Sequence, residues 1–325
     1  NDTFDIPKYI TGAVLAVLLW MVIIGGIKRI AQIASKLVPF MAFWYLVGSF
    51  AVIVSNYENI IPSLQSIFIH VFTPAAAVGG FLGASVAAAL TRGVNRGLYS
   101  NEAGQGSAPI AHASSKTENP IEEGMVSILE PFIDTIIICT ITGLVILSSG
   151  VWTEKFENKF EESAMCYLDG NYSDQNQQDI AILQDYILSC SGPETFTGRE
   201  EIVDGVMQNN SITLMHNRSV AEQILYKQDG QLFNGFIVVD NGKLNTENLN
   251  VEGNSLLIGA DLTGKAFTRS IFGEYGQYIV AIGLLLFAFS TAIAWSYYGD
   301  RATVHLFGEG WVLYYRIIYV GAFFT

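Results

Sequence analysis

Apolar side chains are concentrated in six stretches of the chain. Five cover residues 9–27, 37–54, 67–112, 125–148 and 278–298, and a sixth begins at Trp311. A helix of about 20 apolar residues crosses the hydrocarbon core of a bilayer, and four of the five stretches have about that length. The stretch 67–112 is longer and contains many polar residues and glycines. The pattern predicts an all-α polytopic membrane protein.

The segment from 151 to 274 has a different pattern. It carries 8 Lys/Arg and 19 Asp/Glu, a net charge of −11, whereas the rest of the chain has a net charge of −2. Residues 232–242, with the sequence LFNGFIVVDNG, predict a strand and a turn, and residues 180–188 have helical periodicity. We expect an acidic α+β domain at 151–274, inserted between membrane segments at 1–150 and 275–325.

Composition excludes several classes of function. Only 14% of the residues are charged, against about 25% in soluble domains, so a single soluble domain is excluded. No basic stripe is present to neutralise phosphates, which excludes nucleic-acid binding. The common motifs of nucleotide, hydrolase and metalloprotease sites are absent, so we expect no enzyme.

Basic residues predict the orientation of the chain. Lys28, Arg29 and Lys36 lie in what we predict to be a short loop without an acid, which the positive-inside rule places in the cytoplasm. Alternation then puts residues 151–274 outside. In that compartment Cys166 and Cys190 either form a disulfide or remain free thiols. The chain also starts without Met and stops inside an apolar run, which indicates a segment of a longer membrane protein.

Residues 78–113 do not follow the pattern of an ordinary membrane helix. Four glycines and a proline lie between Gly93 and Pro109, and both residue types weaken helices. Unwound backbone at membrane depth lines cavities, and in secondary transporters it forms the substrate site. A cytoplasmic loop is the alternative. We predict that a zwitterionic substrate lies against Ser100, Asn101, Glu102, Ala103, Gly104, Gln105, Gly106 and Ser107.

Two later stretches carry polar groups at membrane depth. Glu130 and Asp134 lie one helical turn apart, and the deeper Asp134 predicts a cation site, with structural hydrogen bonding as the alternative. Ser290 and Thr291 offer hard oxygen ligands to a small cation, although such hydroxyls also bond to the carbonyl one turn back. Trp295, one turn later, is predicted to contact the substrate.

Residues 93–113, with the sequence GVNRGLYSNEAGQGSAPIAHA, resemble the signature of the alanine/glycine:cation symporter family. Three shorter parts resemble other blocks of the family in the same order: GGIKRIA at 25–31 with LVPFMA at 37–42, DT with CT within 134–140, and FAFST at 287–291. The resemblance covers nearly all of the chain outside 151–274.

The resemblance implies a leucine-transporter-type fold of two inverted five-helix repeats. The chain would begin at the fourth core helix and end in the ninth, with 78–113 as the broken sixth helix. The seventh and eighth helices would be 122–148 and 278–298, and the first broken helix would precede residue 1. The fold also places a sodium ion on a hydroxyl pair of the eighth helix, which corresponds to Ser290 and Thr291.

The resemblance further implies sodium-coupled symport of alanine or glycine into the cell by alternating access. The location would be the bacterial inner membrane, and the partners would be a small neutral amino acid, sodium and the lipid bilayer. The alternative is a receptor with an exterior ligand-binding domain. The sequence leaves open alanine or glycine, the D- or L-isomer, sodium or proton coupling, and the oligomeric state.

Overall fold

A computed structural model describes residues 6–73, 82–83, 86–102, 104–189, 192–246 and 248–324. Its helices are α1 (Lys8–Ile23), α2 (Gly26–Ser55), α3 (Ile60–Phe72), α4 (Val86–Ser100), α5 (Ser107–His112), α6 (Pro120–Ser149), α7 (Gln177–Ser189), α8 (Gly259–Thr268), α9 (Gly276–Phe307) and α10 (Val312–Phe324). The chain divides into two compact units. The first unit comprises residues 1–57, 94–145 and 263–325, and the second comprises 58–93 and 146–262.

Three of the described helices are long and apolar enough to cross a membrane: α2, α6 and α9 with the turn before it. They contain three of the predicted spans. The predicted loop at residues 28–36 is wrong, because α2 already begins at Gly26. The chain turns instead at Gly25 and Gly26, where Gly26 has a φ of +66° that favours glycine. Helix α9 continues beyond the apolar stretch that ends at residue 298 and ends at Phe307.

The first unit is held together by helix packing around α2 and α9. Leu19 and Ile23 of α1 are fully buried against Ile293 of α9. Where α2 approaches α8, a Cβ on Gly48 would lie 2.6 Å from the Phe267 ring, so only glycine fits there. Small residues at such crossings let helix backbones approach closely.

An ion pair joins α9 to α10. The Arg316 Nε atom donates to both carboxylate oxygens of Asp300, at 3.1 and 3.2 Å, and the Nη2 atom lies 2.5 Å from Oδ2. Asp300 is 1% exposed. The fork of the guanidinium matches a carboxylate, which explains how a buried acid is accommodated.

Strands occur between residues 155 and 256 of the described chain. They are β1 (Lys155–Lys159), β2 (Met165–Asp169), β3 (Gly198–Val203), β4 (Val206–Met207), β5 (Ile212–His216), β6 (Ser219–Val220), β7 (Glu222–Gln228), β8 (Gln231–Leu232), β9 (Gly235–Asp240), β10 (Lys243–Leu244) and β11 (Asn250–Leu256). They form antiparallel sheets in the orders β1-β11-β7-β8, β10-β9-β3-β4 and β2-β5-β6.

Local predictions in this region are confirmed. The predicted strand and turn appear as the β9–β10 hairpin, in which Asn241 and Gly242 have φ values of +47° and +75°. Ile237 and Val239 alternate into the core while their neighbours are exposed, as a strand with one covered face requires. The predicted helix at 180–188 is α7. Cys166 Sγ lies 3.2 Å from the Tyr186 hydroxyl, and Cys190 is outside the described residues.

A lysine links two acids in the second unit. The Lys155 ammonium lies 2.5 Å from Asp174 Oδ2 and 2.6 Å from Glu222 Oε1, and the Asp174 side chain is 6% exposed. We expect Lys155→Ala to destabilise this unit by about 3 kcal/mol or more, because it leaves a buried carboxylate unpaired. Thermal unfolding of the full-length protein measures the effect, with exposed Lys243→Ala as the control. Equal melting temperatures for the two variants would contradict the pairing.

Burial lowers the pKa of His216 to about 4. The ring is 2% exposed, stacks on Phe160 at 4.3 Å, and has Nδ1 2.6 Å from Ser255 Oγ. In the unfolded chain the imidazole has a pKa near 6.5. As the pH falls below this value, His216 binds a proton in the unfolded chain but stays neutral in the folded chain, which favours unfolding. We expect a loss of up to about 3 kcal/mol of stability between about pH 6.5 and 4.

The matched variant for this prediction is His216→Gln, which fills the site with a group that does not titrate. Unfolding midpoints at several pH values should then fall less steeply in acid than those of the unchanged protein. Identical slopes for both proteins would remove His216 as a cause of acid destabilisation.

Candidate functional site at the interrupted helix

The helix formed by α4 and α5 is interrupted between Ser100 and Ser107. Glu102, Gly104 and Gly106 have φ values of +49°, +77° and +76°, so the backbone takes left-handed conformations at alternate residues. Such conformations end a right-handed helix, and glycine adopts them without strain. The interruption is shorter than predicted. Gly93 and Gly97 remain inside α4, because glycine only weakens a helix and the left-handed residues begin at Glu102.

The interruption leaves open space beside its glycines. A Cβ built on Gly104 or Gly106 would meet no atom within 4 Å. Buried Ser107 closes the far end, donating from its hydroxyl to Glu102 Oε2 at 2.5 Å. Gln105 is exposed, and Ala103 lies outside the described residues. A small ligand can therefore approach the backbone of this segment directly.

Helix α6 holds the start of the interruption in place. Its residues Phe132–Ile138 form a π-helical turn, a feature that occurs frequently at functional sites. Within this turn Asp134 accepts a hydrogen bond from the Ser100 hydroxyl. Thr135 exchanges two hydrogen bonds with the Asn101 amide, at 2.9 and 3.2 Å. Asp134 and two predicted substrate residues are thus brought together.

Helix α9 approaches the same interruption through Tyr298. The Tyr298 hydroxyl lies close to the Glu102 carboxylate, and Glu130 is also nearby. The Trp295 ring packs edge-on against Tyr298, with ring centroids 6.1 Å apart, and is 47% exposed. Trp295 is therefore one aromatic ring away from Glu102. Tyr298 was not predicted as a site residue, since a tyrosine in an apolar helix carries no signal of its partner.

A histidine at the end of α5 lies between two acids of α6. The His112 Nδ1 atom is 2.7 Å from Glu123 Oε1, and its Nε2 atom is 3.6 Å from Glu130 Oε2. These contacts fix the end of the interrupted helix, as the contacts of Asp134 fix its start. The seven-residue spacing of the two acids places them on one face of α6 and is the signal that could have found this cluster.

The predicted sodium ligands are not all brought together. Ser290 Oγ donates to the Phe287 carbonyl oxygen at 2.9 Å and lies 3.7 Å from Met41 Sδ, while Thr291 is exposed. Within the described ranges, no hydrogen bond joins either hydroxyl to Asp134. In this structure Ser290 therefore follows the alternative, in which its hydroxyl bonds to a carbonyl of the previous helical turn.

The chain matches a known family of proteins. Residues 1–172 and 218–325 match the Sodium:alanine symporter family. The chain belongs to this family. The members of this family are membrane transporters, not enzymes. The match includes the interrupted helix, the π-helical turn and α9, so all contacts of the candidate site lie within family sequence.

Two transporters are similar over nearly the whole chain, and a third is similar over a shorter part of it. The sodium/alanine symporter AgcS of Methanococcus maripaludis is 30% identical over 98% of this chain and 48% of its own length. An uncharacterized transporter of Haemophilus influenzae has the same identity and coverage. A sodium/proton-dependent alanine carrier protein of Bacillus sp. is 38% identical over 46% of the chain and 33% of its own length. The chain spans about half the length of the first two relatives.

The family match also bears on the acidic segment. It omits residues 173–217, which contain α7 and strands β3 to β5, but includes residues 151–172 and 218–274. The sequence blocks that resemble the family all lie outside 151–274, so the match to these two parts was not predicted. The portion outside the match is therefore smaller than the acidic segment.

Proposed function

We propose that this chain is part of a sodium-coupled symporter that carries alanine or glycine into the cell. The observation that carries the proposal is the interruption at 101–106, whose exposed glycine backbone is held between α6 and α9 by polar side chains. Family membership and the similarity to a sodium/alanine symporter support the same substrate class and coupling ion.

The substrate in this proposal lies against residues Ser100–Ser107. Left-handed residues turn successive carbonyl and N–H groups away from the helical pattern, which frees acceptors for an ammonium group and donors for a carboxylate. The open space at Gly104 and Gly106 accepts a small side chain. Trp295 and Tyr298 then lie on the α9 side of the bound amino acid.

We further propose that the fold is of the leucine-transporter type, in the bacterial inner membrane, and that residues 151–274 form an exterior domain. Three membrane-length helices and the family relationship support a multi-pass arrangement. The acidic net charge of 151–274 agrees with the exterior side, since basic residues favour the cytoplasm. Alternating access would then expose the site to each side in turn.

Ser290 and Thr291 are proposed as sodium ligands in the full-length protein. Replacing both by alanine should raise the sodium concentration for half-maximal uptake by about fivefold or more, since two hard oxygen ligands are lost. Ser296→Ala is the matched control, because Ser296 lies on the same helix and its hydroxyl bonds to the Ile293 carbonyl. If the double variant kept the original sodium curve, both residues would be removed from the ion site.

Counterflow tests whether the protein transports at all. Vesicles containing the full-length protein are loaded with unlabelled alanine and diluted into labelled alanine, with sodium or with potassium. The proposal predicts accumulation of label only with sodium. Binding of alanine without any counterflow would favour a receptor. Equal counterflow with sodium and with potassium would contradict sodium coupling.

A further inference from the structure

Three basic residues begin α2 without acidic partners. Lys28, Arg29 and Lys36 are exposed, and none of the described residues forms an ion pair or hydrogen bond with their charged groups. The sequence from Ile6 to Tyr57 contains no Asp or Glu. These charges are therefore not neutralised by a carboxylate of the described residues.

Two of the three basic residues line a shallow cavity of about 550 Å³ that is open to the outside along one face of α2. Its walls are Arg29, Gln32, Ile33, Lys36, Leu37 and Phe40. Spacings of three and four residues place all six on a single helical stripe. Lys28 lies outside the cavity although it is adjacent to Arg29.

The cavity has a polar part and an apolar part along the helix. Arg29, Gln32 and Lys36 supply hydrogen-bond donors, and seven residues separate the two cations by about 10 Å along the axis. Both have long flexible stems, so their charged ends can meet one group beside Gln32. Leu37 and Phe40 continue the stripe as an apolar surface.

The position of this stripe matches a membrane boundary. The apolar stretch of α2 begins at Leu37, one residue after Lys36. If this apolar stretch spans the bilayer, the polar part of the cavity lies at the level of the lipid headgroups and the apolar part lies in the hydrocarbon. An occupant of both parts needs an anionic end and an apolar end.

We propose that this cavity binds an anionic glycerophospholipid. Arg29 and Lys36 hold its phosphate, Gln32 donates a further hydrogen bond, and an acyl chain lies along Leu37 and Phe40. Basic pockets beside membrane helices recognise anionic headgroups by charge-assisted hydrogen bonds. The lack of any acid in this stretch favours an anion over a second protein helix with mixed charges.

The test measures lipid binding to the purified full-length protein by native mass spectrometry. The probes are phosphatidylglycerol, phosphatidylcholine and inorganic phosphate, each titrated separately. The variant Arg29→Gln/Lys36→Gln should lose about tenfold or more of the affinity for phosphatidylglycerol. The control Lys28→Gln removes the same type of charge from the same turn, outside the cavity, and should stay within about twofold.

Each other outcome has a defined meaning. Equal phosphatidylglycerol affinity in the double variant and the unchanged protein would overturn the proposal, and so would an equal loss in Lys28→Gln. Binding of phosphatidylcholine as tight as phosphatidylglycerol would overturn recognition of the anionic charge. Full competition by inorganic phosphate would identify a site for free phosphate instead of a lipid.

A second variant keeps the test informative if the double variant misfolds. Arg29→Lys/Lys36→Arg preserves both positive charges, so it should fold and retain phosphatidylglycerol binding within about threefold. Phe40→Ala in the same assay should weaken long-chain phosphatidylglycerol but not its short-chain analogue. Loss of binding in the charge-preserving variant, or equal effects of Phe40→Ala on both chain lengths, would contradict the assignment.

Discussion

Replacing Gly104 by leucine is expected to abolish amino-acid binding to the full-length protein while leaving its membrane insertion intact. Gly104 has a φ of +77°, which costs a residue with a Cβ about 1–3 kcal/mol. The leucine side chain would also fill the open space beside the backbone, where we place the substrate. We expect a loss of at least about 100-fold in affinity, measured by equilibrium binding of labelled alanine.

The matched control for this substitution is Gly93→Leu. Gly93 lies inside α4 and has no atom within 4 Å of a built Cβ, so leucine adds bulk there without a positive φ. This variant should bind alanine within about threefold of the unchanged protein. Normal alanine affinity in Gly104→Leu would show that the substrate binds elsewhere.

The second large effect is expected at Asp134. Changing it to asparagine keeps the shape of the side chain but removes its charge, next to Ser100 and the π-helical turn. An acid at membrane depth is costly unless a partner stabilises it, and a coupling cation is the partner that we propose. We expect the sodium concentration for half-maximal uptake to rise about tenfold or more, with little change in protein abundance.

Ser100→Ala separates the charge of Asp134 from its hydrogen bond. It removes the hydroxyl that donates a hydrogen bond to Asp134 but leaves the Asp134 carboxylate in place. If Asp134 serves the cation, Ser100→Ala should shift the sodium curve much less than Asp134→Asn. A sodium curve for Asp134→Asn equal to that of the unchanged protein would show that the acid is only structural.

Local features of the fold were predictable from the sequence because their causes are local. The β9–β10 hairpin follows from alternating Ile237 and Val239 and from an Asn-Gly turn. The approximate place of the helix interruption follows from its glycines. The residues at which the interruption begins and ends cannot be predicted in this way. Gly93 and Gly97 are glycines like Gly104 but remain helical.

Contacts between distant segments were not predictable in the same way. Asp134 and Ser100 were both named from the sequence, but their hydrogen bond depends on how α6 packs beside the interruption. The pairing of Tyr298 with Glu102 joins residues almost 200 positions apart, and no periodicity specifies such a partner. The continuation of α2 through Lys28 and Lys36 was missed because positive charge was interpreted as a loop, although both residues form helices readily.

The most direct measurement is the accumulation of labelled alanine in proteoliposomes containing the full-length protein. An inward sodium gradient is compared with an inward potassium gradient of the same size. The proposed symport predicts transient accumulation above the external concentration with sodium alone, and its collapse when a sodium ionophore dissipates the gradient. Equal accumulation with both cations, or none with sodium, would contradict sodium-coupled symport.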